Sequence, residues 1–204
     1  MATSPAKENI LKKIRQALTN PVPLPFLQSE GTNSVFPPPS DDLEVIFAQQ
    51  FTQLHGRFAF CTDEPDLQQQ LSQLIEKRQW TKIYCNDPKW EETFSNTINL
   101  AGCDASITGC EYLVARTGSM VLSSAAESGR TVSVYAPVHI CIAYTNQLVY
   151  EVKEALMLLK EKYAAKLPSL ISVATGPSRT ADIEKTLVTG VHGPKEVYCF
   201  LVEA

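Results

Sequence analysis

Arg57-Phe-Ala-Phe-Cys61, then Asp63-Glu-Pro65, then Lys82-Ile-Tyr-Cys85 is the stretch whose reading decides the fold. Its two ends are short apolar and aromatic runs of the kind that form buried strands. Asp63-Glu-Pro65 starts a helix, Leu67, Leu71, Leu74 and Ile75 recur at helical spacing, and Lys77-Arg78 supply a basic end. A strand, a helix and a second strand in this order predict a parallel sheet covered by helices.

Working outward, Asp41 to Leu54 reads as a helix with Leu43, Phe47, Phe51 and Leu54 on one face. Asp87-Pro88 opens another that runs through Trp90, Phe94 and Ile98 to a stop at Gly102. The middle then changes character. Residues 105–108, 112–115, 119–123, 132–135 and 140–144 are strand candidates separated by glycine-containing turns, with no helix-length segment between them. They predict a small antiparallel or mixed patch inserted into the sheet. Gln147 to Tyr163 is helical, with Val149, Val152, Leu156 and Leu159 inward. Leu170-Ile-Ser-Val-Ala174 is expected as a buried strand, and Glu196-Val-Tyr-Cys-Phe-Leu-Val202 as a strand covered on both faces. The fold class is α/β, with a Rossmann-like, mostly parallel sheet, helices on both faces and a small antiparallel β insertion.

Ahead of this domain, Ser4-Pro5 opens a helix whose Ile10, Leu11, Ile14 and Leu18 form one narrow apolar stripe, which would lie on the domain or on another chain. Pro21, Pro23, Pro25 and Pro37-Pro38-Pro39 make the following stretch an arm or linker. The expected organisation is therefore an N-terminal helix and proline-rich arm over 1–40 and an α/β domain over 41–204.

The formal net charge of -4 gives no broad basic field for nucleic acid. The apolar runs are too short for a membrane span, and no apolar signal core follows the first charges, so a cytoplasmic protein is expected. The six cysteines contain no C-x-x-C and predict buried free thiols rather than an iron–sulfur or zinc site. Three histidines without H-x-x-H or H-E-x-x-H spacing give no metal centre either.

The candidate chemistry lies in four places. Thr175-Gly-Pro-Ser-Arg-Thr-Ala-Asp-Ile-Glu184 breaks a strand at Gly176-Pro177, and Thr180 can cap a following helix. Thr175, Gly176, Ser178 and Arg179 would then gather donors for an anion; alternatively, Arg179 only pairs with Asp182 or Glu184. Thr117-Gly118-Ser119, at a strand entry, lets backbone approach a ligand closely, or is a plain turn. His139 and His192 can bind a carboxylate or act as acid or base, or are structural, while His55 is a helix-end cap. Glu111 would be a general base or nucleophile, or a solvated charge, as would the acid in Glu127-Ser-Gly-Arg130. G-x-G-x-x-G, P-loop and G-x-S-x-G motifs are absent from the sequence.

Thr117-Gly-Ser-Met-Val-Leu122, Pro137-Val-His-Ile140, Thr175–Glu184 and Leu187-Val-Thr-Gly-Val-His-Gly-Pro-Lys195, in this order and spacing, resemble the LUD-domain family, the lactate-utilisation proteins of the LutC type. The likeness runs from about Asp41 to the C-terminus. It implies a fold similar to the sugar-phosphate isomerase, glucosamine-phosphate deaminase and CoA-transferase group (NagB/RpiA/CoA-transferase-like), with ligands near strand ends. It also implies one component of a cytoplasmic system oxidising L-lactate to pyruvate, with no cofactor in this chain and iron–sulfur clusters in partner subunits. Arg116 stands where many relatives carry an acid. Two rival readings accompany this one: a stand-alone enzyme on sugar phosphates or acyl-CoA using Glu111, and a non-catalytic assembly protein for iron–sulfur partners. The small-molecule partner would be a carboxylate or phosphate, and self-association into a homo-oligomer stays open.

Overall fold

The structure is a computed structural model that describes residues 5–19, 36–125, 131–164, 166–180 and 188–204. The chain divides into a unit over 1–38 and a unit over 39–204. In the first unit, helix α1 (Pro5–Leu18) carries Ile10 and Ile14 of the apolar stripe exposed. Ser4 and most of the proline-rich arm lie outside the described residues, as do Glu127–Arg130 and Ala181–Leu187.

The second unit begins with α2 (Leu43–Gln53) and the segments that set the fold, β1 (Arg57–Cys61), α3 (Glu64–Arg78) and β2 (Ile83–Cys85). The Asp63 carboxylate accepts the Asp66 N–H at 2.8 Å and caps α3, and Gln79 closes it in the left-handed region at φ 56°. The single helical turn α4 (Glu91–Phe94), β3 (Ala105–Thr108), β4 (Tyr112–Val114) and β5 (Ser119–Ser123) follow. Then come the turn α5 (Val132–Tyr135), β6 (Val138–Tyr144), β7 (Leu148–Val149), α6 (Val152–Tyr163) and β8 (Ile171–Ala174). A short β9 (Arg179–Thr180) and β10 (Val188–Thr189) pair with each other, and β11 (Glu196–Val202) ends the domain.

The central sheet has the order β1-β11-β6-β3-β2, and every pairing in it is parallel. Strand alternation assigns its faces. Ile140, Ile142, Tyr198, Phe200 and Val202 point to α3 and α4, where they pack with Leu67, Leu71, Trp90 and Phe94. Cys141, Ala143, Val197, Cys199 and Leu201 point the other way, onto Phe47 and Phe51 of α2 and Leu113 and Met120 of a second sheet. That second sheet has the order β7-β4-β5-β8, antiparallel at β4–β5 and β5–β8 and parallel at β4–β7. Helix α6 covers its outer face through Ala155 and Leu159 on Val114, Val121 and Val149. The α/β class and mostly parallel sheet are as expected from the sequence, but one face is covered by a small sheet as well as by a helix.

Several boundaries differ from the sequence reading. The helix expected to reach Gly102 ends at Phe94, and Ile98 is fully exposed. Its continuation is diverted to the sheet edge: Asn96 Oδ1 accepts the Ile83 N–H at 2.7 Å, the Asn96 N–H donates to Ile83 O at 3.0 Å, and Ser95 Oγ accepts the Cys85 N–H at 3.3 Å. These residues pair with β2 as a neighbouring strand would, covering an otherwise open edge. Residues 132–135 form a helical turn instead of a strand, held down where Ser106 Oγ donates to Val132 O at 2.7 Å. Val149 sits in β7, before helix α6, and Leu156 is exposed. Strand β8 is an edge strand with Val173 exposed, not a buried one. All six cysteines are free, and burial pushes the Cys61 and Cys85 thiols up to about 11.

Gly118 fixes the seat of α2. At φ 58° it closes the 3-10 turn Ala115–Thr117, and a Cβ there would lie 2.6 Å from Phe51 N and 2.8 Å from Gln50 C. The close backbone approach expected of this residue is thus to helix α2. Gly118→Ala combines a left-handed conformation with a backbone clash and should destabilise the domain by roughly 2 kcal/mol or more in urea denaturation. A cost under about 0.5 kcal/mol, the usual size for a surface substitution, would contradict this account.

Candidate functional site

Where the central sheet and the second sheet diverge, they leave a cavity of about 420 Å³. His139 and Val197, a directly paired couple at the amino ends of β6 and β11, form its floor. Met120 and Leu122 of β5 and Ser172 and Ala174 of β8 form one wall. The loop Thr175-Gly-Pro-Ser178 with Arg179, and His192-Gly-Pro194, close the rim. Six of the sequence candidates therefore meet here: His139, His192, Thr175, Gly176, Ser178 and Arg179.

The rim is built by local backbone constraints. Gly176 adopts φ 77°, and a Cβ on it would approach Leu54 O to 2.9 Å, so the loop can pass the end of α2 only with glycine. The Ser178 N–H donates to Pro194 O and the Gly190 N–H to Ser178 O, both at 2.9 Å, which stitches the two Gly-Pro turns together. The Arg179 guanidinium donates to Leu54 O, the carbonyl at the α2 C-terminus, a favoured partner for a cation. The residue stays exposed, and among the described residues its guanidinium has no further hydrogen-bond partner. The helix expected after Thr180, with Asp182 and Glu184, falls outside the described residues; Arg179 and Thr180 themselves form β9. Among the described residues lining the cavity there is no carboxylate, while Arg179 and two imidazoles face it.

His139 is 1 % exposed, and its Nε2 lies 2.8 Å from Thr108 Oγ1. Burial lowers its pKa and outweighs Cys141, which acts in the opposite sense, so the ring is neutral at pH 7. His192 is exposed at the rim.

The other candidates stand apart. Glu111 is buried on the second sheet, with Ser123 Oγ donating at 2.5 Å, Tyr163 OH at 2.7 Å and Lys162 Nζ at 2.8 Å. Burial works to raise its pKa, but the bonds from Lys162, Ser123 and Tyr163 outweigh it and hold the carboxyl below its ordinary value. Both oxygens are engaged, which leaves no lone nucleophile or base, and Glu111 does not line the cavity. Thr117 and Ser119 do not line it either. Their hydroxyls lie 2.7 Å apart, and Ser119 Oγ lies 2.9 Å from Thr175 Oγ1, so they support the rim from behind. Arg116 Nε donates to Glu151 Oε1 at 2.7 Å and ties the 3-10 turn to the start of α6. Among the described residues no cluster of His, Cys, Asp and Glu could hold a metal ion.

Sequence reasoning missed Thr108, Ser133 and Ser172. A signal existed for the first: Ser106 and Thr108 alternate with apolar Ala105 and Ile107, putting two hydroxyls on one face of a buried strand.

A parallel α/β sheet with a second sheet on one face, and a cavity between them lined by Arg179 and two imidazoles, defines an α/β domain with one candidate binding site. The chain belongs to the LUD-domain family, whose profile matches residues 76–202. A relative from Halalkalibacterium halodurans, lactate utilization protein C, is 30% identical over 185 residues, 80% of this chain and 80% of that one. An uncharacterized protein of Neisseria meningitidis is 36% identical over 109 residues, 53% of this chain; the match spans only 44% of that protein. The crystal structure of a DUF162-family protein from Deinococcus radiodurans superposes with a TM-score of 0.58 at 18% identity, covering 81% of this chain and 99% of that one. At this identity the likeness speaks for the fold alone.

Glu111→Ala should cost about 2–3 kcal/mol, because it strips charge-assisted hydrogen bonds from the buried Ser123 and from Tyr163 and Lys162 at the edge of the site. The depressed pKa sets the sign with pH: the unfolded carboxyl binds protons first, so its contribution is full above the unfolded value and is lost as pH falls through the folded one. Chemical denaturation of wild type and variant should therefore converge in acid, and a difference unchanged between pH 7 and pH 3 would contradict the assignment.

Proposed function

We propose that this chain takes part in lactate utilisation as a subunit of an L-lactate-oxidising system, and that the cavity beside Arg179 receives a small carboxylate. The observation that carries the reading is the meeting of Arg179, His139 and His192 in one cavity with no described acid among its lining residues. A guanidinium pairs with a carboxylate through charge-assisted hydrogen bonds. The name of the Halalkalibacterium halodurans relative supplies the lactate connection. Oxidation of a 2-hydroxy acid needs an electron acceptor, and on this reading iron–sulfur partner subunits provide it. No described helix is long and apolar enough to cross a membrane.

The cavity volume favours a second reading. At about 30 Å³ per water in the liquid, 420 Å³ has room for roughly fourteen waters, more than six-heavy-atom lactate fills. A sugar phosphate or an acyl-CoA portion would use that space. The engagement of Glu111 by three donors argues against the covalent chemistry such an enzyme was expected to run through it.

Thermal shift and calorimetry with L-lactate, pyruvate, glucosamine 6-phosphate and acetyl-CoA separate these readings. L-Lactate should stabilise the wild type, and Arg179→Gln should weaken its binding roughly 10- to 100-fold, as for one charge-assisted hydrogen bond. Stabilisation by the phosphate or the thioester, with none by lactate, would replace the first reading with the second. Lactate-dependent dye reduction should need the partner subunits; full activity of the isolated chain would contradict the subunit role.

A further inference from the structure

We propose that Thr108 locks His139 as a hydrogen-bond acceptor at the cavity floor, so that the site selects carboxylates carrying an adjacent hydrogen-bond donor, as 2-hydroxy acids do. The selection for hydroxy acids rests on the carboxylate reading of the cavity; the lock itself stands on hydrogen-bond geometry and on a buried, neutral ring.

The direction of each hydrogen bond follows from the partners. Thr108 Oγ1 lies 2.9 Å from Gly109 O, and a carbonyl can only accept, so the single hydroxyl proton points there. The same oxygen lies 2.8 Å from His139 Nε2 and has only lone pairs left to offer, so Nε2 carries the proton. In a neutral imidazole the other nitrogen, Nδ1, is then an acceptor. The His139 side chain makes no other hydrogen bond to the described residues, and no side-chain nitrogen or oxygen among them is both buried and unpartnered. Nδ1 therefore opens on the cavity that His139 lines. The ring is nearly immovable, since the residue is 1 % exposed on a strand paired on both sides.

An acceptor fixed at the closed end of a cavity discriminates by what it leaves unpaired. A ligand with a hydroxyl or amine there satisfies Nδ1, whereas one with a methylene or a carbonyl displaces water and satisfies nothing. L-Lactate brings the donor, and pyruvate and propionate do not. With Arg179 at the rim and His139 at the floor, the cavity separates a 2-hydroxy acid from the 2-oxo acid that its oxidation yields. Thr108 is in this sense a positioning residue: it touches no ligand and sets the ring that does.

The test uses three small probes on the full chain: L-lactate, with both groups; propionate, with the carboxylate only; and propane-1,2-diol, with the hydroxyl only. Nitrogen-15 spectra of the histidine-labelled protein report the tautomer directly. The proposal expects a protonated Nε2 and an unprotonated Nδ1 on His139 at neutral pH, with Nδ1 shifted by lactate and by the diol. Lactate should bind about tenfold tighter than propionate or pyruvate, the size of one hydrogen bond. Thr108→Val should erase that ratio, and Thr108→Ser should restore it. A proton on Nδ1, or propionate binding as well as lactate, overturns the proposal. If the diol shifts Nδ1 while no carboxylate binds, the acceptor stands and the carboxylate reading of the cavity falls.

Discussion

Strands β6 and β11 lie side by side in the middle of the sheet, and nearly every residue of both is buried. Neither face of this pair can be left to water. A parallel pair meets that constraint with layers on both sides, and here the layers differ. Helices α3 and α4 cover one face, and α2 with the second sheet covers the other. The second sheet leaves the central sheet at the amino end of the pair, and the gap between them is the cavity.

That location departs from the usual place of ligands in open α/β sheets, the carboxyl ends of the strands. At those ends this protein carries ion pairs and hydrogen bonds of its own: Lys89 bonds Glu64 and, at 2.7 Å, the Tyr144 hydroxyl. At the amino ends the two Gly-Pro turns bring their loops over His139. A polar ring buried at such a point would destabilise the domain if left alone, and Thr108 offsets that cost on one side only. The other side faces the cavity, so its floor presents a polar ring beside the apolar Val197.

Much of this architecture was legible in the sequence. Residues 57–85 gave strand, helix and strand, with the helix start at Asp63-Glu-Pro65, because local propensity and burial agree there. The Gly176-Pro177 and Gly193-Pro194 breaks marked the rim, because only such residues let the chain turn that sharply beside another backbone. What could not be read was tertiary. Helix α4 stops where Ser95 and Asn96 are recruited to the exposed edge of β2, and no local signal announces that edge. Strands 105–108 and 138–144 join the central sheet while 112–114 and 119–123 leave it, and alternation does not tell two stacked sheets apart. Glu111 looked like a free carboxylate because Lys162 and Tyr163 lie some fifty positions away in sequence. Gly118 looked like a ligand contact because the backbone it meets, that of α2, is still more remote in sequence.

The central claim is that the cleft between the two sheets is a receptor for a carboxylate. A crystal structure of the protein grown with L-lactate tests it most directly. The account predicts the carboxylate on the Arg179 guanidinium and the hydroxyl toward His139, between β5 and the amino ends of β6 and β11. Lactate bound elsewhere, at the carboxyl ends of the strands for instance, with this cleft holding only water, would contradict it.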